Sequence, residues 1–305
     1  PQYYVDSLMW ENDPLYGWCK KNVKRDGTHY DIYTDGLKIY TAIDSRMQQY
    51  AEEAVKKQVG QVMQAKFDAE KRGAANAPYV STRSVKDVNQ RLAKAMKQSD
   101  RYRQMKADGA TEAEIEEAFN RRVPMTVYTP RGEVDTLMTP RDSIRYYKRF
   151  LRAGLVSIDP ETGHVKAYVG GLDYAHFQYD MATVGRRQVG STMKPFVYAM
   201  AMQGGYTPES TILNVQRTYG DWTPRNGSKA RYGEVVTLKW GLSQSNNWVT
   251  AELMYQIDNT GQGLVRDLQD LGIANDNMQP SHSLCLGTCD ITTAEMASAY
   301  TAFVK

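Results

Sequence analysis

The chain has 305 residues, 41% hydrophobic and 24% charged, with 38 Lys and Arg against 35 Asp and Glu for a formal charge of +3. That balance provides a core and excludes a disordered or collagen-like chain. The basic pairs Lys20-Lys21 and Lys24-Arg25 are short and mixed with acids and aromatics, which excludes the concentrated basic face of a nucleic-acid binder.

The chain opens on Pro1 rather than Met and its pattern still runs at Phe303-Val304-Lys305, so it is expected to be a piece of a longer protein. Residues 1–36 are aromatic, polar and irregular, as at a junction. Leu37-Lys-Ile-Tyr-Thr-Ala-Ile43 alternates like a strand, and Asp44 stands as an N-cap for a helix beginning at Ser45. That helix places Met47, Tyr50, Ala51, Ala54 and Val55 at i, i+3, i+4 spacing. From about Gly60 to Arg122 the chain turns rich in Lys, Glu, Gln, Ala and Arg, as in a charged helical insertion. Thr111-Glu-Ala-Glu114 has the capping-box pattern ahead of Ile115 and Phe119. Without strict heptads this arm is no coiled coil. It reads first as a solvated spacer and second as a contact for partner proteins.

Residues 123–138 form a hairpin pattern around the turn Thr129-Pro-Arg-Gly132, and 142–150 a short helix. A second hairpin joins Gly154–Ile158 to His164–Val169 through Asp159-Pro-Glu-Thr-Gly163, with Pro early and Gly where a left-handed residue is needed. Helical patterns follow at 192–203, 237–256 and 292–303. Strands first and helices after predict an α+β fold with helices packed on an antiparallel sheet. Cys285 and Cys289 could close a local disulfide but read better as ordinary, partly buried cysteines. A metal site is not supported, because the four histidines and three cysteines form neither an HxxxH nor a CxxC spacing. No apolar run approaches the roughly 18 residues that span a bilayer.

The chemistry concentrates in Gly190-Ser191-Thr192-Met193-Lys194-Pro195-Phe196. Ser and Lys three apart share one helix face, one turn apart. A serine hydroxyl needs an adjacent base to become a nucleophile, and a lysine serves once burial or neighbouring cations lower its pKa. A serine at a helix start also sets backbone N–H groups near a developing oxyanion. Taken alone the motif is weak, since an N-cap serine followed by an exposed lysine explains it. The overlapping Gly185-Arg-Arg-Gln-Val-Gly190-Ser191 imitates a phosphate-binding loop, but Ser191 stands where that loop requires Lys. A second element, Ser243-Gln-Ser245-Asn246-Asn247-Trp248, has the Ser-x-Asn form. There a hydroxyl can relay a proton and an amide can hold both the lysine and a substrate amide.

Together these motifs resemble the penicillin-interacting serine enzymes, whose third signature is Lys-Thr-Gly or Lys-Ser-Gly. The surrounding text resembles the class A penicillin-binding proteins. Leu155-Val-Ser-Ile-Asp-Pro-Glu-Thr-Gly-His-Val-Lys-Ala-Tyr-Val-Gly-Gly171 looks like the hairpin opening their transpeptidase domain, and Arg187–Phe196 like their nucleophile segment. Trp240-Gly-Leu-Ser-Gln-Ser-Asn-Asn-Trp-Val249 looks like their Ser-x-Asn segment, and Leu286–Tyr300 like a later helix. Leu37–Gln48 looks like the segment leaving a glycosyltransferase domain.

The resemblance implies a junction over 1–36, a linker region over 37–150 with the insertion at about 60–122, and a transpeptidase domain over 151–305. It implies Ser191 as the acylated nucleophile, Lys194 as general base, Ser245 as proton relay and Asn247 as positioner, Ser245 and Asn247 also binding substrate. It implies peptidoglycan stem peptides and β-lactam antibiotics as ligands and cell-wall synthesis proteins as partners, with no metal or organic cofactor. The implied setting is the periplasmic face of the cell envelope, through a membrane anchor outside this chain. Two departures stand out. No Lys-Thr-Gly or Lys-Ser-Gly follows Asn247, and Lys71-Arg-Gly73 lies upstream in a helical stretch, so the third signature is expected beyond Lys305. No glycosyltransferase catalytic segment precedes the linker, so a second activity of a parent protein is family inference alone. A carboxypeptidase or β-lactamase on the same scaffold, and a non-catalytic peptide- or partner-binding module, are the rival readings.

Overall fold

The computed structural model describes residues 15–80, 82–273 and 278–304. The chain divides into two compact units, Pro1–Ala42 and Ile43–Lys305, and the first 14 residues of the expected junction lie outside the described residues. In the first unit, α1 (Tyr16–Lys21) leads into a loop held by Lys24, whose Nζ lies 3.0 Å from one Asp35 oxygen. The alternating stretch 37–43 does not form a strand. Ile39 and Tyr40 are 47% and 91% exposed, and no strand pairs with this stretch among the described residues. Its alternation therefore has no sheet face to serve.

The second unit opens on α2 (Ser45–Val55), which Asp44 caps as expected by accepting from the N–H groups of Arg46 and Met47 at 2.9 and 3.0 Å. The helix outruns its amphipathic pattern, continuing through a π-helical stretch, Lys56–Met63, into α3 (Gln64–Glu70). Three helices follow, α4 (Val85–Lys97), α5 (Asp100–Ala107) and α6 (Glu112–Asn120), capped by Ser84, Ser99 and Thr111. The capping box between Thr111 and Glu114 is complete. These helices bury Met96, Ile115 and Phe119 around Ile144, so the charged arm has an apolar centre.

The first hairpin pairs β1 (Val123–Thr129) with β2 (Gly132–Met138) in the expected register, from Val123 opposite Met138 to Thr129 opposite Gly132. Helix α7 (Pro140–Tyr147) starts earlier than the pattern indicates because Thr139 caps the N–H of Asp142 at 3.0 Å and proline suits a first helical turn. The second hairpin pairs β3 (Leu155–Ile158) with β4 (Val165–Val169) around Gly163. The first turn of α2 bonds the other side of β4: Asp44 N–H donates to Lys166 O at 2.9 Å, and the Gln48 amide both donates to Tyr168 O and accepts from Tyr168 N–H at 2.8 Å.

The largest core lies beyond residue 190. A 3-10 turn, Gly190–Met193, leads into α8 (Lys194–Gln203). After it come α9 (Leu238–Ser243), α10 (Asn247–Ile257), α11 (Gln262–Asp270), a 3-10 turn at His282–Leu286 and α12 (Thr293–Tyr300). Val197, Ala201, Val249, Leu253, Leu264, Leu268 and Leu284 are buried together, each large aliphatic side chain contributing about 1.5–3 kcal/mol relative to exposure. Two short antiparallel pairs flank this core, β5 (Arg187–Gln188) with β8 (Asp290–Ile291) and β6 (Thr211–Leu213) with β7 (Val235–Thr237). The class is α+β, with four two-stranded antiparallel sheets among the described residues. Cys19, Cys285 and Cys289 are free thiols, and no described helix is long and apolar enough to cross a membrane.

Candidate active site

Ser191 occupies the second position of the 3-10 turn, not an α-helix as the spacing predicts, and Lys194 opens α8 directly after it. The Lys194 backbone N–H bonds to Ser191 O, tying the two residues through the main chain. Ser191 is exposed, and its hydroxyl makes no hydrogen bond among the described residues. Lys194 is 1% exposed.

The Lys194 ammonium donates to three oxygens: Ser245 O, Ser245 Oγ at 3.1 Å and Asn247 Oδ1 at 2.6 Å. An ammonium has three donors, so these acceptors saturate it. Burial pulls its pKa down from 10.5 to about 8, with Cys285 opposing. The Cys285 thiol is fully buried and pushed up to about 12 by that burial, so near neutral pH it presents Lys194 with an uncharged neighbour.

Ser245 and Asn247 hold their places for identifiable reasons. The sequence predicts one helix over 237–256, but the chain breaks at Ser245, whose backbone is left-handed at φ 49°. That conformation costs a non-glycine residue on the order of 1–2 kcal/mol, and here it lets both the carbonyl and the hydroxyl of Ser245 meet the same ammonium. Asn246 then caps α10, accepting from Trp248 and Val249 N–H at 2.9 and 3.0 Å, while its own amide donates to buried Asn214 at 3.0 Å. Asn247 Nδ2 donates to Arg225 O at 2.7 Å and its backbone N–H to Asn226 Oδ1 at 2.9 Å. With the amide nitrogen held by a carbonyl, Oδ1 is the end that faces Lys194.

A separate set of contacts fixes the backbone on either side of Ser191. Beside the β5–β8 pair, Val189 N–H donates to Cys289 O and Gly190 N–H to Gly287 O, each at 3.1 Å. Tyr300 Oη donates to Thr192 O at 2.7 Å. The structure thus brings Lys194, Ser245 and Asn247 into hydrogen-bond contact and places Ser191 beside them in the chain. Sequence reasoning missed Asn214, Arg225, Asn226, Gly287 and Tyr300: Asn214 meets the Asn246 side chain from 32 residues away, and the others act on or through backbone groups, so none leaves a motif.

Comparison with known proteins matches the penicillin-binding protein middle domain over residues 74–151 and the penicillin-binding protein transpeptidase domain over residues 153–305, half of the chain. The chain belongs to the class A penicillin-binding proteins. It is similar to penicillin-binding protein 1A of Escherichia coli, 30% identical over 305 residues, covering 88% of this chain and 35% of that protein. The corresponding protein of Neisseria gonorrhoeae is 28% identical over 316 residues, covering 90% and 38%. That of Aquifex aeolicus is 38% identical over 162 residues, covering 51% and 22%. The chain therefore spans less than two-fifths of these relatives. The crystal structure of penicillin-binding protein 1A from Haemophilus influenzae shares the fold, with a TM-score of 0.58 at 22% identity over 95% of this chain and 45% of that one. In this class A penicillin-binding chain, Ser191, Lys194, Ser245 and Asn247 all fall inside the transpeptidase match.

Proposed function

We propose that this domain is a peptidoglycan D,D-transpeptidase that works through an acyl-enzyme on Ser191 and is acylated there by β-lactams. The observation that carries the reading is the buried Lys194, its pKa drawn down to about 8, held between Ser245 and Asn247. When Lys194 is neutral it has two donors and one lone pair. Ser245 O can only accept, and Asn247 Oδ1 is committed to accepting because Arg225 O holds the amide nitrogen. Of its three partners only the Ser245 hydroxyl can donate to the lone pair, and the Ser191 hydroxyl is the donor that the reading adds.

The chemistry follows from that constraint. Lys194 takes the Ser191 proton as Oγ bonds to the carbonyl carbon of the penultimate D-alanine of a stem peptide. The bond to the terminal D-alanine breaks, and its nitrogen leaves with a proton delivered from Lys194 through Ser245 Oγ. The exposed backbone turn at Ser191 supplies an N–H for the oxyanion. An amine of a second stem peptide then attacks the ester, forming the cross-link and returning the proton to Ser191. A β-lactam opens by the same attack, but its nitrogen stays tethered. Such a substrate sets the domain on the outer side of the cytoplasmic membrane, in the cell envelope.

The test is intact-protein mass after benzylpenicillin treatment of the longest natural form, beside Ser191→Ala. A stable adduct present in the parent and absent from Ser191→Ala is expected. Rapid loss of the adduct would favour a hydrolase, and no adduct on folded protein would favour a non-catalytic binding module.

A further inference from the structure

We propose that Gly287 is a positioning residue for the nucleophile, its absent side chain setting where the Ser191 turn stands. The inference rests on the reading of Ser191 as the acylated residue. Gly287 ends the 3-10 turn His282–Leu286 in a left-handed conformation, φ 70°. Its carbonyl accepts the Gly190 N–H at 3.1 Å. A Cβ on Gly287 would lie 2.1 Å from Gly190 O, 2.5 Å from Gly190 N and 2.7 Å from Gly190 C. These are backbone atoms, so no rotamer change relieves the overlap, and Gly190 has to move. Gly190 is itself left-handed at φ 56° and Ser191 is the next residue.

The contact is local and unusual within this chain. Among the described left-handed glycines only Gly261 and Gly287 would bring a Cβ within 4 Å of anything, and Gly261 faces Ser281 instead. Movement at Gly190 cannot be passed harmlessly along the turn, because Tyr300 Oη holds Thr192 O at 2.7 Å two residues further on. Lys194 stays fixed by its three acceptors. Displacement at 287 therefore changes the relation of Ser191 to Lys194 while leaving the Lys194–Ser245–Asn247 contacts in place.

The experiment compares the longest natural form with Gly287→Ala and Gly163→Ala. Gly163 has nearly the same φ, 73°, but nothing within 4 Å of an added Cβ, so it reports left-handed strain without the collision. Benzylpenicillin concentration series, run across the pH range around the Lys194 pKa, separate the dissociation constant of the initial complex from the acylation rate constant. Gly287→Ala is expected to lower the acylation rate constant by about tenfold to a hundredfold, the scale of a misplaced reacting group. The dissociation constant and the pH midpoint stay as in the parent, while the thermal midpoint falls below that of Gly163→Ala because only Gly287→Ala adds the collision with Gly190. Gly163→Ala acylates as the parent does. Equal acylation rates in the two variants overturn the proposal, as does a loss shared between binding and rate. If Gly287→Ala fails to fold, Tyr300→Phe decides, because it removes only the hydroxyl that holds Thr192. A severalfold slower acylation at parental stability supports the positioning role, and an unchanged rate overturns it. A parent that forms no adduct sinks the Ser191 reading itself, an outcome distinct from a parent that reacts and a Gly287→Ala that reacts equally well.

Discussion

Lys194 carries two pH dependences of different origin. In the proposed role of base it must be neutral, so the benzylpenicillin acylation rate should rise with pH and level off above about 8, the value to which burial lowers it. Asn247→Asp puts a carboxylate where Oδ1 now accepts at 2.6 Å. An opposite charge favours the ammonium, so the midpoint should move upward, as rate profiles of the two proteins would show. Stability follows a different sign. The folded pKa of Lys194 lies below its ordinary 10.5, so keeping the buried charge costs stability below about pH 8 and the cost fades between there and 10.5. Cys285 acts oppositely: its folded pKa, near 12, lies above the ordinary 9.0, so its contribution is present below 9 and is lost as pH rises toward 12. The alkaline gain belonging to Lys194 should therefore emerge only as the difference between the parent and Lys194→Met in denaturant midpoints. The meeting of Lys194 with Ser245 and Asn247 was legible because these side chains stand at motif spacing. Asn226 was not, since it acts on a backbone N–H from 21 residues away and resembles any polar loop residue.

Elements were legible in proportion to how local their causes are. Both hairpins follow from turn residues, and α2 and α6 follow from their caps. The pairs β5–β8 and β6–β7 are two or three residues long and join distant parts of the chain, too short for any alternation to show. The break between α9 and α10 also escaped, because nothing local marks Ser245 as left-handed. Packing explains why the break is tolerated. A Cβ on Gly241 of α9 would stand 2.6 Å from Val249 Cγ1 and 2.9 Å from Tyr198 Oη, so α9 meets α8 and α10 with no room to spare. Gly241→Ala should lower stability by about 1–3 kcal/mol, the range for overpacking a tight core, as read from denaturant unfolding.

At the scale of the molecule, the site draws on residues 190–194, 225–226, 245–247 and 287–300, while the other two apolar clusters, around Phe150 with Phe177 and around Phe119, serve the hairpins and the charged arm. None of those distant joins could be inferred from periodicity, whereas the α+β class could, since it depends only on the order of local patterns. The grip of α2 on β4 has one more consequence. A sheet border with bare N–H and C=O groups invites a strand from another copy of the chain. Here Asp44 and Gln48 already occupy the outward groups of Lys166 and Tyr168. Gln48→Ala should uncover this border and produce concentration-dependent self-association, detectable by light scattering at unchanged secondary structure. In the native chain the backbone groups that an incoming strand would need on this side of β4 are already taken, so a short glutamine side chain does the work of a neighbouring strand.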